Sequence, residues 1–150
     1  MTPTPLSFGA DIPFVKHLGM VLTRFDGGHS EIELAHKPEL LNSFAVTHGG
    51  VVMTLLDVTM ASAARSVSPD LGVVTIEMKT SFMRPATPSE SGPLVAKGEL
   101  MHRTATMAFT QATVYDARGH ACAHATGTFK YMKRLASGGR TVHLLQISTD

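Results

Sequence analysis

Between His48 and Arg65 the chain carries one charged residue, Asp57, in a run that is otherwise apolar or small. Burying an unpaired carboxylate is expensive, so Asp57 needs hydrogen-bond donors, a partner chain, a solvent-facing strip or a chemical task. The task open to a carboxylate in a cleft is that of general base or nucleophile. Just upstream stand His48-Gly49-Gly50. If these glycines open a helix, its first turn presents unpaired N–H groups and a partial positive charge, and the absent side chains let a ligand oxygen reach the backbone. That is a site for a carbonyl or an oxyanion. The same pair also suits a plain tight turn into a helix.

Gly49 and Asp57 are eight positions apart, and at 1.5 Å rise per residue their backbones stand roughly 12 Å apart along a helix axis. One chain does not bring both to one carbonyl. For the two to cooperate, helices from two subunits lie antiparallel about a two-fold axis, the N-terminus of one facing Asp57 of the other. The spacing predicts an obligate dimer.

The elements that must hold these residues follow from hydrophobic period. Within the mixed segment Pro5 to Leu18, Ile12–Gly19 suggests a short helical turn. Gly19–Phe25 and Ser30–His36 read as a hairpin across the turn signal Asp26-Gly27-Gly28, and Lys37 to Thr47 as a loop with a short helical turn. Gly50 to Ser66 is rich in Met, Leu and Ala, has no proline, and is followed by Ser68-Pro69-Asp70, which predicts one long helix. After Gly72 the period becomes two, with Val74, Ile76, Met78 and Phe82 on one face and Thr75, Glu77, Lys79 and Ser81 on the other. Further strands are expected at Leu94–Met101, Ala105–Tyr115 and Ala121–Met132. In the last, Ala121, Ala123, Ala125, Gly127, Phe129 and Tyr131 face one way, and Cys122, His124, Thr126, Thr128 and Lys130 the other. Short links among these four strands predict an antiparallel meander. A helix apolar nearly all round calls for a curved sheet wrapped about it, an α+β arrangement. One domain is expected over 1–150, with its core at about 14–133 and a peripheral tail at 134–150.

Composition narrows the classes. The chain has 150 residues, 43% of them hydrophobic and 17% charged, within the size of a single domain. Thirteen Lys plus Arg against twelve Asp plus Glu give a formal net charge of +1, which lacks the basic field of a nucleic-acid binder. The single cysteine, Cys122, makes no intramolecular disulfide, and the first residues lack the pattern of a secretory signal, so a cytoplasmic protein is expected. No stretch has the roughly 20 apolar residues of a membrane span.

Asn42, Thr47-His48-Gly49-Gly50, Asp57, the strand Val74-Thr75-Ile76-Glu77-Met78 and Ser81-Phe82-Met83-Arg84-Pro85-Ala86 together resemble the hotdog-fold acyl-CoA thioesterases of the phenylacetate-pathway (PaaI-type) group. The resemblance runs from about Phe14 to Lys133 and includes the ending Gly119…Ala125-Thr126-Gly127-Thr128-Phe129. It implies that Gly49 gives its N–H to the thioester carbonyl and that Asn42 binds or orients the same region. It implies that Asp57 of the opposing subunit is general base or nucleophile, and that Thr75 helps hold the water. It further implies an acyl-CoA substrate, with coenzyme A as part of the substrate and no separate cofactor, and homodimers pairing into a homotetramer. His48 is expected to position the loop beside the substrate, with Gly50 next to it, and Arg84 to meet CoA phosphates near a groove mouth. A hydratase or dehydratase on the same fold, or a non-catalytic acyl-CoA-binding protein, are the alternatives. No metal site is expected, for the eight histidines form no HExxH and no Cys-His cluster.

Overall fold

The computed structural model describes residues 4–87 and 89–133; the expected peripheral tail at 134–150 lies outside the described residues. A short helix α1 (Pro13–Leu18) leads into the hairpin β1 (Met20–Asp26) and β2 (His29–Leu34). A 3-10 turn at Pro38–Leu40 precedes α2 (Gly49–Arg65), and β3 (Leu71–Phe82), β4 (Leu94–Arg103), β5 (Met107–Tyr115) and β6 (Ala121–Lys133) follow. The six strands form one sheet in the order β1-β2-β4-β5-β6-β3. Every neighbouring pair is antiparallel. The sheet wraps α2, whose Val52, Leu55, Leu56 and Met60 are buried against Ile32, Leu34, Val114 and Phe129. This is the expected hotdog fold.

Two expectations about the sheet's topology and faces need correction. Only β4, β5 and β6 form a meander. β3 follows α2 at the far side of the sheet and pairs with β6, whereas β4, next in the chain, lies on the other side and pairs with β2 and β5. β3 is thereby an edge strand. The second correction concerns its faces. The register slips between Thr75 and Glu77, leaving Ile76 unpaired in a bulge, and one extra residue reverses the alternation. Thr75, Met78, Thr80 and Phe82 stand opposite Phe129, Gly127, Ala125 and Ala123 on the helix-facing side, while Val74, Glu77, Lys79 and Ser81 stand opposite Lys130, Thr128, Thr126 and His124. Thr75 therefore faces α2 and not the polar outer surface.

Cys122 also moves from its expected place. It is buried although it alternates with core residues, because the strap Met83–Pro85 lies over it. The N–H groups of Met83 and Arg84 both donate to the Cys122 carbonyl, at 2.8 and 3.1 Å. Its thiol contacts the carbonyl oxygens of Pro85 and His120. β5 starts at Met107 rather than Ala105, since the Thr104 hydroxyl accepts the N–H groups of Thr106 and Met107 and closes a turn there.

Helix and sheet approach closely at Gly98. A β-carbon there would lie 2.6 Å from Ser30 Oγ and 2.8 Å from the Thr59 carbonyl. The Ser30 hydroxyl uses this proximity, donating to the Thr59 carbonyl at 2.6 Å. Below the helix end, buried Arg65 spends its guanidinium on the carbonyls of Phe8, Pro69 and Leu71.

Candidate active site

The N-terminus of α2 is built by the His48-Gly49-Gly50 sequence, and each residue has a separate part. His48 is the N-cap, and its Nδ1 accepts the Gly50 N–H at 2.8 Å. The ring folds over Gly50 so closely that a β-carbon there would lie 3.1 Å from Nδ1. His48 thus satisfies one of the helix's orphan donors by a side-chain acceptor, as capping residues do. With the Gly50 N–H engaged, the Gly49 N–H is the free one: among the described residues it has no hydrogen-bond partner. It points the positive end of a 17-residue helix outward.

Asn42 holds the preceding loop. Its Oδ1 accepts the N–H of Phe44 at 2.9 Å and of Val46 at 3.2 Å, and its own N–H bonds to the Val46 carbonyl. Ala45, at φ 60, makes the tight turn. Because the side-chain oxygen faces two backbone donors, the amide nitrogen is the end left over, and it carries two N–H donors.

Asn42, Gly49 and Arg84 line one groove of about 380 Å³, together with Val46, Val52, Phe82 and Met83. The Phe82 ring abuts the glycine, with Cζ 3.5 Å from where a Gly49 β-carbon would be. Thr47, Pro85, Ala86 and, from β6, Cys122 and Ala123 complete the lining. No carboxylate is among these residues, so the groove pairs hydrogen-bond donors with a partial positive charge and an apolar wall. Burial pushes the Cys122 thiol above its ordinary value of 9.0, which keeps it a neutral part of that wall.

Asp57 lies elsewhere. It sits half-buried on α2 in a stripe with Met53, Thr54, Val58 and Ala61 that its own sheet does not fully cover. The Thr75 hydroxyl donates to Asp57 Oδ1 at 2.6 Å, leaving Oδ2 available. The residues singled out in the sequence thus fall into two groups, Asn42, His48, Gly49, Gly50 and Arg84 at one end of the helix and Asp57 with Thr75 at its middle. Sequence reasoning missed the contribution of Cys122 and Ala123, whose place depends on the strap crossing β6, and the capping bond of His48. A histidine immediately before a helix-opening glycine pair was the available signal for the latter.

A donor-lined groove, a carboxylate with a hydroxyl partner and a sheet wrapped about one helix define a class. The chain matches the family model described as Thioesterase superfamily over residues 44–123, more than half its length, and it belongs to that superfamily. It is accordingly a thioester hydrolase. It is similar to the proofreading thioesterase EntH of Klebsiella pneumoniae, 27% identical over 124 residues that cover 81% of this chain and 88% of that one. Among solved structures, a conserved protein of Pseudomonas aeruginosa superposes with a TM-score of 0.78 at 25% identity, covering 85% of this chain and 100% of that one. The PaaI protein of the E. coli phenylacetic acid degradation operon superposes with a TM-score of 0.73 at 21% identity, covering 84% of this chain and 86% of that one; this likeness concerns the fold.

Proposed function

We propose that the protein hydrolyses acyl-CoA thioesters as a PaaI-type enzyme, in sites each shared by two copies of the chain. The observation that carries the reading is the unpartnered Gly49 N–H in one groove with the outward amide of Asn42. These donors suit a carbonyl oxygen that gains negative charge as it is attacked. Asp57 of the opposing copy takes a proton from water, the water oxygen bonds to the thioester carbon, and the tetrahedral intermediate expels CoA thiolate by breaking the C–S bond. The thiolate leaves without a strong acid and is then protonated, so the step needs no separate cofactor. Direct attack by Asp57 would proceed through an anhydride that water opens. Thr75, bonded to one carboxylate oxygen, orients the other toward the water.

The shared site is supported by the exposed apolar residues along β3, with Val74 46% and Ile76 53% exposed on a strand whose outer edge is unpaired among the described residues. Bare edges and apolar patches of this kind are covered in soluble proteins, and a second copy paired there would set the two helices antiparallel. Dimers of such dimers, acting in the cytoplasm, complete the reading, with Arg84 at the groove rim toward the CoA phosphates. Among the described residues no helix is long and apolar enough to cross a membrane.

The test is release of free CoA thiol from a panel of acyl-CoAs by the native protein and by Asp57→Ala. The expected result is turnover of at least one acyl-CoA and a loss of about 100-fold or more in the variant. Binding without thiol release from any acyl-CoA would overturn the reading in favour of a binding protein.

A further inference from the structure

The proposed shared site fixes where a second copy meets β3. At one end of the strand the Phe82 ring abuts Gly49, and toward the other Thr75 holds Asp57. The edge between them is open, for among the described residues the backbone of 72–82 makes no hydrogen bond outside the sheet. For the Gly49 N–H of one copy to face the partner's Asp57, the two-fold axis must cross β3 about midway between Thr75 and Phe82, at Met78 or Lys79. It passes through a residue rather than between two. Directly opposed side chains share a face of the sheet, and Glu77 to Phe82 alternate faces without a slip, so the central residue faces its own copy.

Charge separates the two choices. Glu77 and Lys79 stand on the outer face, opposite Thr128 and Thr126 of β6. Both are exposed, and among the described residues neither makes an ion pair. An axis at Lys79 sets two lysines against each other and leaves Glu77 facing the partner's Ser81. An axis at Met78 sets Glu77 against the partner's Lys79 and, by symmetry, Lys79 against the partner's Glu77. Opposite charges directly across an antiparallel pair stabilise it, and like charges destabilise it. We propose that a second copy of the chain pairs with β3 in the register centred on Met78, held by two Glu77–Lys79 ion pairs across the axis. This rests on the shared-site reading above. In this register Thr80 lies opposite the partner's bulge, whose helix-facing member is the partner's Thr75, and Phe82 with Gly49 lies two residues further on. The Gly49 N–H and the partner's Asp57 are then separated by roughly 7 Å along the strands, room for a thioester carbonyl and the attacking water between them.

The experiment oxidises Met78→Cys and Lys79→Cys separately under mild conditions, with the native protein, whose one cysteine is buried, as control. Opposed residues of an antiparallel pair stand about 5 Å apart and diagonal ones about 8 Å, and a disulfide closes only below about 7 Å between α-carbons. Expected is a disulfide-linked dimer on a non-reducing gel for Met78→Cys and none for Lys79→Cys. Should Met78→Cys fail to fold by circular dichroism, charge exchange on the surface decides. Glu77→Lys and Lys79→Glu are each expected to weaken the dimer about tenfold or more by sedimentation, and the two together to return it to within about threefold of native. A cross-link through Lys79→Cys, no cross-link through either folded variant, or a double exchange no tighter than the single ones would overturn the register. Thiol release by the native protein would in that case leave the thioesterase reading intact. The expected cross-link in a protein that releases thiol from no acyl-CoA would instead support the register and overturn that reading.

Discussion

Asn42 holds the loop with one side-chain atom and, in the proposed site, would meet the substrate with another. Its Oδ1 is consumed by two loop N–H groups, so a carboxylate in its place keeps that duty and changes only the outward end from donor to anion. Asn42→Asp is therefore expected to melt within about 1 kcal/mol of the native protein yet lose about 100-fold to 1000-fold in kcat. Thermal melting and thiol release, measured on the same preparation, check both halves. An intact rate would remove Asn42 from the carbonyl site. Gly49 and Gly50 differ in a related way: Gly50 gives its N–H and its space to the His48 ring, and the Gly49 N–H, without a partner among the described residues, is the donor the proposed mechanism uses.

At the scale of elements, α2 and the sheet meet through residues chosen for what they lack. Gly98 admits the Ser30 hydroxyl and the Thr59 carbonyl to within 3 Å of its missing β-carbon, so Gly98→Ala must push α2 away from β2 and β4. A loss of about 1–3 kcal/mol is expected, read from the denaturant midpoint; an unchanged midpoint would show that the contact can relax. The helix, the hairpin and the strands after it were legible because their periods are strong and their ends are marked by Gly, Pro and Asp. The meander was not, since strand order depends on where α2 delivers the chain, which no local pattern states. Nor was the bulge at Ile76: the apolar-polar alternation around Thr75 runs unbroken in sequence, and only pairing with β6 reveals the slip. Asp57 stood out because it is a lone charge in an apolar helix. Its bond to Thr75, by contrast, exists only because the bulge turns that residue inward.

For the molecule as a whole, two buried acids set an alkaline limit. Burial raises the Cys122 thiol above 9.0 and the Tyr131 phenol above 10.0, the latter offset in part by Arg103 stacked on its ring. The folded chain thus keeps protons that the unfolded chain releases, and stability falls as pH rises above about 9. Deprotonation of Tyr131 also removes the hydrogen bond that its hydroxyl donates to the Ala64 carbonyl. Melting temperature is expected to be level from about pH 7 to 8.5 and to decline above 9, with the first part of the decline reduced in Cys122→Ala. A flat profile to pH 11 would contradict the burial of both groups. The larger claim at this scale is that one chain holds only half of each catalytic site, with Gly49 and Asn42 at one end of α2 and Asp57 beside Thr75 at its middle. Mixing Asn42→Asp with Asp57→Ala, each inactive alone, and allowing subunits to exchange tests it directly. In a mixed dimer one site inherits both defects and the other neither, so an equal mixture should recover roughly one quarter of native thioesterase activity. Continued inactivity of the mixture, with exchange confirmed by a tagged subunit, would contradict the shared site.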